Sequence, residues 1–156
     1  MPIVSIADLR ERARRRLPRM VFDYIDGGAD DEITLRRNAA RFRDYELLWD
    51  VLTDVSAVDT SVSVLGQAVA SPIIIAPTAT SRLFNPRAGE RAVARAAHTH
   101  GLLYSASTLA STSIEEIARE TPGPKLFQIY VWKDRGLVRE ILQRAKAAGF
   151  AGVILT

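Results

Sequence analysis

Four apolar runs beginning near residues 73, 102, 125 and 151, with helical patterns between them, predict an α/β fold of repeated strand–helix units. The units recur every 23 to 29 residues, and the runs are continuous rather than alternating, as strands buried on both faces of a parallel sheet require. Polar groups follow the strands: Pro77-Thr78-Ala79, Ser107-Thr108 and Gln128-Ile129-Tyr130 lie at or near carboxyl ends, where (β/α) barrels build their sites. No G-x-G-x-x-G or G-x-x-x-x-G-K follows any of the four runs, so a phosphate loop has no support, and a barrel is favoured over a doubly wound open sheet. A buried parallel strand stopping at Thr156 would leave an open edge. The expectation is therefore the first half of a TIM (β/α)8 barrel, about four βα units, with the other strands in a further segment or another chain. A complete four-stranded α/β domain is the alternative.

The elements follow in order. Ser5 with Asp8 three residues on marks a helix N-terminus, and Ile6, Leu9 and Ala13 keep helical spacing up to Leu17-Pro18. A second helix fits Arg19 to Ile25, ended by Gly27-Gly28. A third fits Asp30 to Phe42, with Asp30, Asp31 and Glu32 in its first turn, where they complement the helix dipole. Residues 1–42 thus read as a helical preface. Residues 43–71 connect it to the strands and include a short hairpin over 61–70, around Leu65-Gly66-Gln67. From 72 onward the first strand, Pro72 to Pro77, precedes a Gly/Pro/Asn loop and an alanine-rich helix from Glu90 to His100. The second, Leu102 to Ala106, precedes a helix from Ser113 to Arg119, with Glu115 and Glu116 in its first turn. The third, Lys125 to Trp132, precedes a helix from Arg135 to Ala148, and Ala151 to Thr156 is the fourth.

Composition narrows the function. The 156 residues are 47% hydrophobic and 25% charged, which suits one core of ordinary domain size. The net charge of +3 is local: Arg10, Arg12, Arg14, Arg15, Arg16 and Arg19 crowd one stretch. Asp8, Glu11 and Asp23 interleave with them and no aromatic series accompanies them, so the stretch reads as the solvated face of an amphipathic helix and not as a nucleic-acid patch. There is no cysteine, and His98 and His100 are too few and too close for a metal cluster. The acidic residues Asp26, Asp30, Asp31 and Glu32 lack the spacing of a calcium loop, so no metal is expected. No apolar run reaches 18 residues and the N-terminus is charged where a secretory leader needs an apolar stretch, which leads to the expectation of a cytoplasmic protein.

One strand conflicts with this scheme. In LFQIYVW, residues 126–132, Phe127, Ile129 and Val131 share one face while Gln128 and Tyr130 occupy the other. If both faces are buried, an amide and a phenol stand inside, where an unpartnered polar group costs roughly 1 to 3 kcal/mol.

Five stretches together resemble the FMN-dependent α-hydroxy-acid dehydrogenase and oxidase family, which includes glycolate oxidase, lactate oxidase, lactate dehydrogenase and mandelate dehydrogenase. They are LPRMVFDYIDGGADDEITLRRN (17–38), PIIIAPTA (72–79), YSASTLAS (104–111), FQIYVWKDR (127–135) and GVILT (152–156), in the family's order. The resemblance implies that the chain is the N-terminal part of a single FMN-binding barrel domain, with strands 1–4 in residues 72–156. It implies FMN as the cofactor and oxidation of an (S)-2-hydroxy acid, such as lactate or mandelate, to the 2-oxo acid. Pro77, Thr78, Ala79, Ser107, Gln128 and Thr156 would contact the flavin. Tyr24 and Tyr130 would bind the substrate, Tyr130 by hydrogen-bonding its hydroxyl as this becomes a carbonyl and so acting in catalysis. Where some relatives carry tryptophan, Leu109 stands, which would enlarge the substrate pocket. Ala79, where glycine is the alternative, favours oxygen as electron acceptor by family analogy. The base, the carboxylate-binding arginines and the lysine that the reaction requires would lie in the C-terminal half of the barrel, so this stretch alone is expected to be inactive. Expected partners are a small 2-hydroxy acid, that C-terminal half and, for the complete enzyme, other copies of itself as a homo-oligomer. A non-catalytic half-barrel that serves folding or interaction, and a lactate-monooxygenase-like FMN enzyme, are the competing readings.

Overall fold

A computed structural model describes residues 3–156. The chain forms two compact units, one up to Ser56 and one from Ala57 to Thr156.

The first unit is helical. α1, Ile6–Arg16, is capped by Ser5, whose Oγ accepts the Asp8 N–H while the Asp8 carboxylate accepts the Ser5 N–H. α2, Arg19–Asp26, begins after Pro18. The two are joined by a bidentate pair from Arg10 to Asp26 (2.5 and 2.7 Å), and Ile6, Leu9 and Ala13 share an apolar cleft with Phe22 and Ile25. α3 covers Ile33–Ala40 and continues into a single 3-10 turn, Arg41–Asp44. It starts three residues later than the sequence suggests, because Asp30 and Glu32 have φ of 48° and 57° and cannot lie inside a right-handed helix. The acids precede the helix instead, and Glu32 Oε1 accepts the Gly28 N–H.

The second unit opens with an antiparallel hairpin, β1 (Val62–Val64) and β2 (Gln67–Val69), turned by Leu65 and Gly66, both at positive φ. Four parallel strands follow in the order β3 (Ile74–Thr78), β4 (Leu103–Ala106), β5 (Lys125–Ile129) and β6 (Gly152–Leu155). Three helices alternate with them: α4 (Glu90–Thr99), α5 (Ile114–Glu120) and α6 (Arg135–Ala147). Each strand pairs with the next in sequence, the arrangement of the first four βα units of a TIM barrel.

The sheet has two dissimilar faces. Tyr104, Ala106, Phe127 and Ile129 face the helices and pack with Ala94, Ile117, Val138 and Ala145. Leu103 and Leu126 face the other way and pack with Val69 of the hairpin and with Ile154. β4 and β5 are buried throughout, whereas edge strand β6 exposes Val153 and Leu155. Lys125, at the amino end of β5, is buried and donates to the carbonyls of Thr121 and Gly123; burial pushes its ammonium pKa down. That end of a barrel serves stability.

α5 is short and depends on its start. Ser113 Oγ accepts the Glu116 N–H and Glu116 Oε2 accepts the Ser113 N–H, each at 3.2 Å. Ser113→Ala is expected to cost about 1 kcal/mol, read as a lowered urea midpoint at unchanged slope.

Candidate active site

The carboxyl ends of β4, β5 and β6 meet at Gln128. Its side chain is 3% exposed and points to the face opposite the helices, and each half of the amide is engaged. Oε1 accepts the Thr108 N–H at 3.0 Å and the Ser107 hydroxyl at 3.2 Å, and Nε2 donates to Thr156 Oγ1 at 2.5 Å. The Thr108 N–H can only donate, which fixes Oε1 toward β4 and leaves Nε2 with one further N–H. The misplaced amide of the sequence is therefore a tie across three strands.

Ser107 also accepts the Leu109 N–H (3.1 Å), which closes a tight turn after β4. It does not cap α5; Ser113 does. Thr108 completes the connection to β5: its hydroxyl donates to the Gln128 carbonyl at 2.5 Å and accepts the Tyr130 N–H at 3.1 Å. Tyr130 lies beyond the last residue of β5 and is 42% exposed, so the expectation of a phenol buried within the strand is corrected. With β5 ending at Ile129, the backbone of Tyr130 is held by Thr108 while the residue itself is exposed.

At β3 the register slips. Ile75 pairs with Tyr104 but Thr78 with Ala106, so β3 carries one extra residue around Ala76-Pro77, where proline cannot donate to the ladder. Thr78 and Ala79 follow the bulge at the carboxyl end of the strand. Pro77 and Ala79 are half-buried, and Thr78 is exposed. Thr80 follows at φ 53°, its N–H donating to the Leu109 carbonyl at 3.1 Å.

The two loops after β3 and β4 share a carboxylate that the sequence did not single out. Glu90, at the start of α4, is fully buried. It accepts the Ser81 N–H (2.9 Å), the Ser111 N–H (2.8 Å), the Ser111 hydroxyl (2.9 Å) and the Thr112 hydroxyl (2.7 Å). Burial pushes its pKa up, but the hydrogen bonds from Thr112, Ser111 and Ser81 outweigh that and hold it down at about 2. In sequence Glu90 looks like an ordinary first-turn acid; the hydroxyl run Ser111-Thr112-Ser113 was the only hint of a buried acceptor.

The structure thus gathers Ser107, Gln128 and Thr156 into one bonded cluster, with Tyr130 adjoining through Thr108. Pro77, Thr78 and Ala79 lie at the end of β3 in the same unit. Tyr24 belongs to α2 of the first unit, where it is exposed. His98 and His100 are exposed at the C-terminal end of α4, directly before the amino end of β4, and are remote in topology from the cluster. Among the described residues no group of histidine, cysteine and acidic side chains could hold a metal ion, and no helix is long and apolar enough to cross a membrane.

Parallel strands whose carboxyl ends converge on polar, flat-edged hydrogen-bonding groups define a barrel-type ligand site. Residues 13–156 match the profile of the FMN-dependent dehydrogenase family, and the chain belongs to that family. It is 40% identical over 154 residues to glycolate oxidase 1 of Oryza sativa subsp. indica, and 39% identical over 156 residues to glycolate oxidase of Spinacia oleracea. These alignments cover 99% and 100% of this chain but 42% of each relative, so the chain spans less than half the length of the curated relatives it matches. Among solved structures, a mandelate oxidase superposes with a TM-score of 0.91 at 37% identity, covering 99% of this chain and 44% of that one. A soluble mutant of the membrane-associated (S)-mandelate dehydrogenase from Pseudomonas putida gives 0.92 at 34% identity, covering 99% and 44%.

Proposed function

We propose that this chain forms the flavin-facing first half of a barrel that oxidises a small (S)-2-hydroxy acid to its 2-oxo acid, and that it is inactive without the second half. The observation that carries the reading is the Ser107–Gln128–Thr156 cluster at the carboxyl ends of three strands.

The residues present fit FMN. The pyrimidine edge of its ring carries carbonyl acceptors around an N–H donor. Gln128 keeps one N–H free after bonding Thr156, and the Thr156 hydroxyl, accepting from Gln128, keeps its proton to donate. Ser105 Oγ, fully buried two residues before Ser107 on the same strand face, has no partner among the described residues, so that face has polar capacity to spare. Small Ala79 beyond the β3 bulge admits a ring against the backbone, and Pro77 and Thr78 would line the same side. When bound, FMN supplies the two-electron acceptor.

The protein's part is to bind and orient. Tyr130, its backbone fixed by Thr108, would donate its phenol proton to the substrate oxygen as carbonyl character develops there. Tyr24 would hold the substrate carboxylate. Leu109 is half exposed at the turn after β4, and a leucine in that wall leaves room for a side chain larger than that of glycolate, which supports a substrate of the lactate or mandelate kind. His98 and His100 are given no role as base.

The test uses the chain together with the segment that completes the barrel. The purified protein is expected to be yellow, and (S)-lactate or (S)-mandelate is expected to bleach its flavin absorbance under anaerobic conditions. Colourless protein, or flavin that no 2-hydroxy acid bleaches, would sink the reading.

A further inference from the structure

Glu90 carries a charge that has no part in the proposed oxidation. It is 0% exposed, and it takes part in none of the ion pairs formed by the described residues. Holding an uncompensated carboxylate in the interior costs several kcal/mol unless hydrogen bonds satisfy it. Here they do, and their origin is informative. The Ser81 N–H comes from the loop after β3; the Ser111 N–H, the Ser111 hydroxyl and the Thr112 hydroxyl come from the loop after β4. Two further bonds run directly between the loops, from the Thr80 N–H to the Leu109 carbonyl at 3.1 Å and from the Arg82 N–H to Ser111 Oγ at 3.0 Å. Gly89, at φ 49°, permits the approach: a Cβ there would stand 2.7 Å from Arg82 Cγ and 3.5 Å from Thr112 Oγ1.

We propose that Glu90 is a positioning residue for the flavin and substrate site, a buried clasp that fixes the segment Thr78–Ser81 against Ser107–Thr112 so that the two loops present one rigid wall. The inference rests on the flavin reading above. It follows from what the two loops carry: Ala79 and the β3 bulge at one side, Ser107 and Leu109 at the other, with Glu90 as the group to which both are bonded. An acceptor-only carboxylate suits the role because every partner donates. An amide in its place keeps one oxygen for the Ser81 and Ser111 N–H groups but turns an NH2 toward the Thr112 and Ser111 hydroxyls, which must reorient to accept it, so the charge-assisted bonds on that side are lost. Satisfied buried networks of this kind rigidify their surroundings, and a displacement of about 1 Å in such a wall is enough to cost on the order of 100-fold in rate.

The experiment compares wild type, Glu90→Gln and Thr112→Val in the complete FMN-loaded barrel. For each it reads the flavin absorption spectrum, the FMN dissociation constant, and kcat and KM with a 2-hydroxy acid. Glu90→Gln is expected to shift the spectrum, weaken FMN binding about tenfold and lower kcat by tenfold or more. Thr112→Val removes one of the four donors, and is expected to move the same three readouts in the same direction by a smaller factor, about threefold. If Glu90→Gln does not fold, Thr112→Val decides by itself, and unchanged readouts there overturn the proposal. A folded Glu90→Gln protein that melts earlier but keeps spectrum, FMN affinity and kcat within twofold of wild type also overturns it, since the clasp would then serve stability alone. A colourless wild type overturns the flavin reading and this role together, whereas a yellow wild type with an unaltered Glu90→Gln variant overturns this role alone.

Discussion

Gln128→Leu is expected to lower the FMN affinity of the completed barrel by about 10- to 100-fold. The substitution removes the Nε2–H left over after the bond to Thr156, which on the proposed reading would leave one flavin acceptor without a donor; such an omission costs roughly 1 to 3 kcal/mol, and each 1.4 kcal/mol is tenfold. Leucine also orphans the Thr108 N–H and the Ser107 hydroxyl, so the fold itself loses stability. Gln128→Glu separates the two effects. A carboxylate keeps the acceptor for Thr108 and Ser107, so the β4 to β5 tie persists, but it has no proton to donate and presents negative charge to the flavin's carbonyl edge. Titration followed by flavin fluorescence is expected to show weak binding in both variants, and chemical denaturation a lowered midpoint chiefly in Gln128→Leu. Wild-type FMN affinity in the leucine variant would remove Gln128 from the flavin site.

How the fold was legible follows from what the signals were. Continuous apolar runs such as Ile73-Ile74-Ile75 and Leu126-Phe127, punctuated by glycines at helix ends, state the strand–helix period directly, and the parallel order of β3 to β6 follows from it. Local rules also placed the hairpin at Leu65-Gly66 and the starts of α1 and α5. Where the reading slipped, a backbone conformation intervened that side-chain pattern does not encode. Asp30 and Glu32 satisfy the charge preference of a helix start, yet their positive φ delays α3 to Ile33. The β3 bulge is another such case, since Pro77 signals a missing donor but not the extra residue that follows from it. At the candidate site, Gln128 stands out in sequence because an amide inside an apolar run is a local anomaly. Thr108 shows in sequence only as one polar group after a strand, and Glu90 not at all, because their importance is pairwise: a threonine after a strand and a glutamate at a helix start look ordinary until the partners 20 to 22 residues away are brought beside them.

The second unit is expected to lose stability steeply as pH falls from about 4.5 toward 2, with Glu90 the largest single contributor. The sign follows from the direction of the shift. The folded protein holds the Glu90 carboxyl at about 2 against an ordinary value of 4.5, so between these values the unfolded chain binds more protons than the folded one, and stability rises with pH. The contribution is fully present above about pH 4.5 and disappears as pH falls through the folded value. A shift of this size corresponds to about 3 kcal/mol, a large share of the 5 to 15 kcal/mol by which domains are ordinarily stable. Glu115 titrates in the same window, because the Arg144 guanidinium beside it holds its carboxyl at about 2, but that pair is open to solvent and its share is reduced by screening. The two are separated by measuring urea midpoints from pH 2 to 6 for wild type, Glu90→Gln and Glu115→Gln. The wild-type advantage over Glu90→Gln should be largest above pH 4.5 and shrink as the pH approaches 2. An advantage that stays constant across the range would mean that the glutamine loses packing and not charge, and that Glu90 is not held as a carboxylate by its four donors.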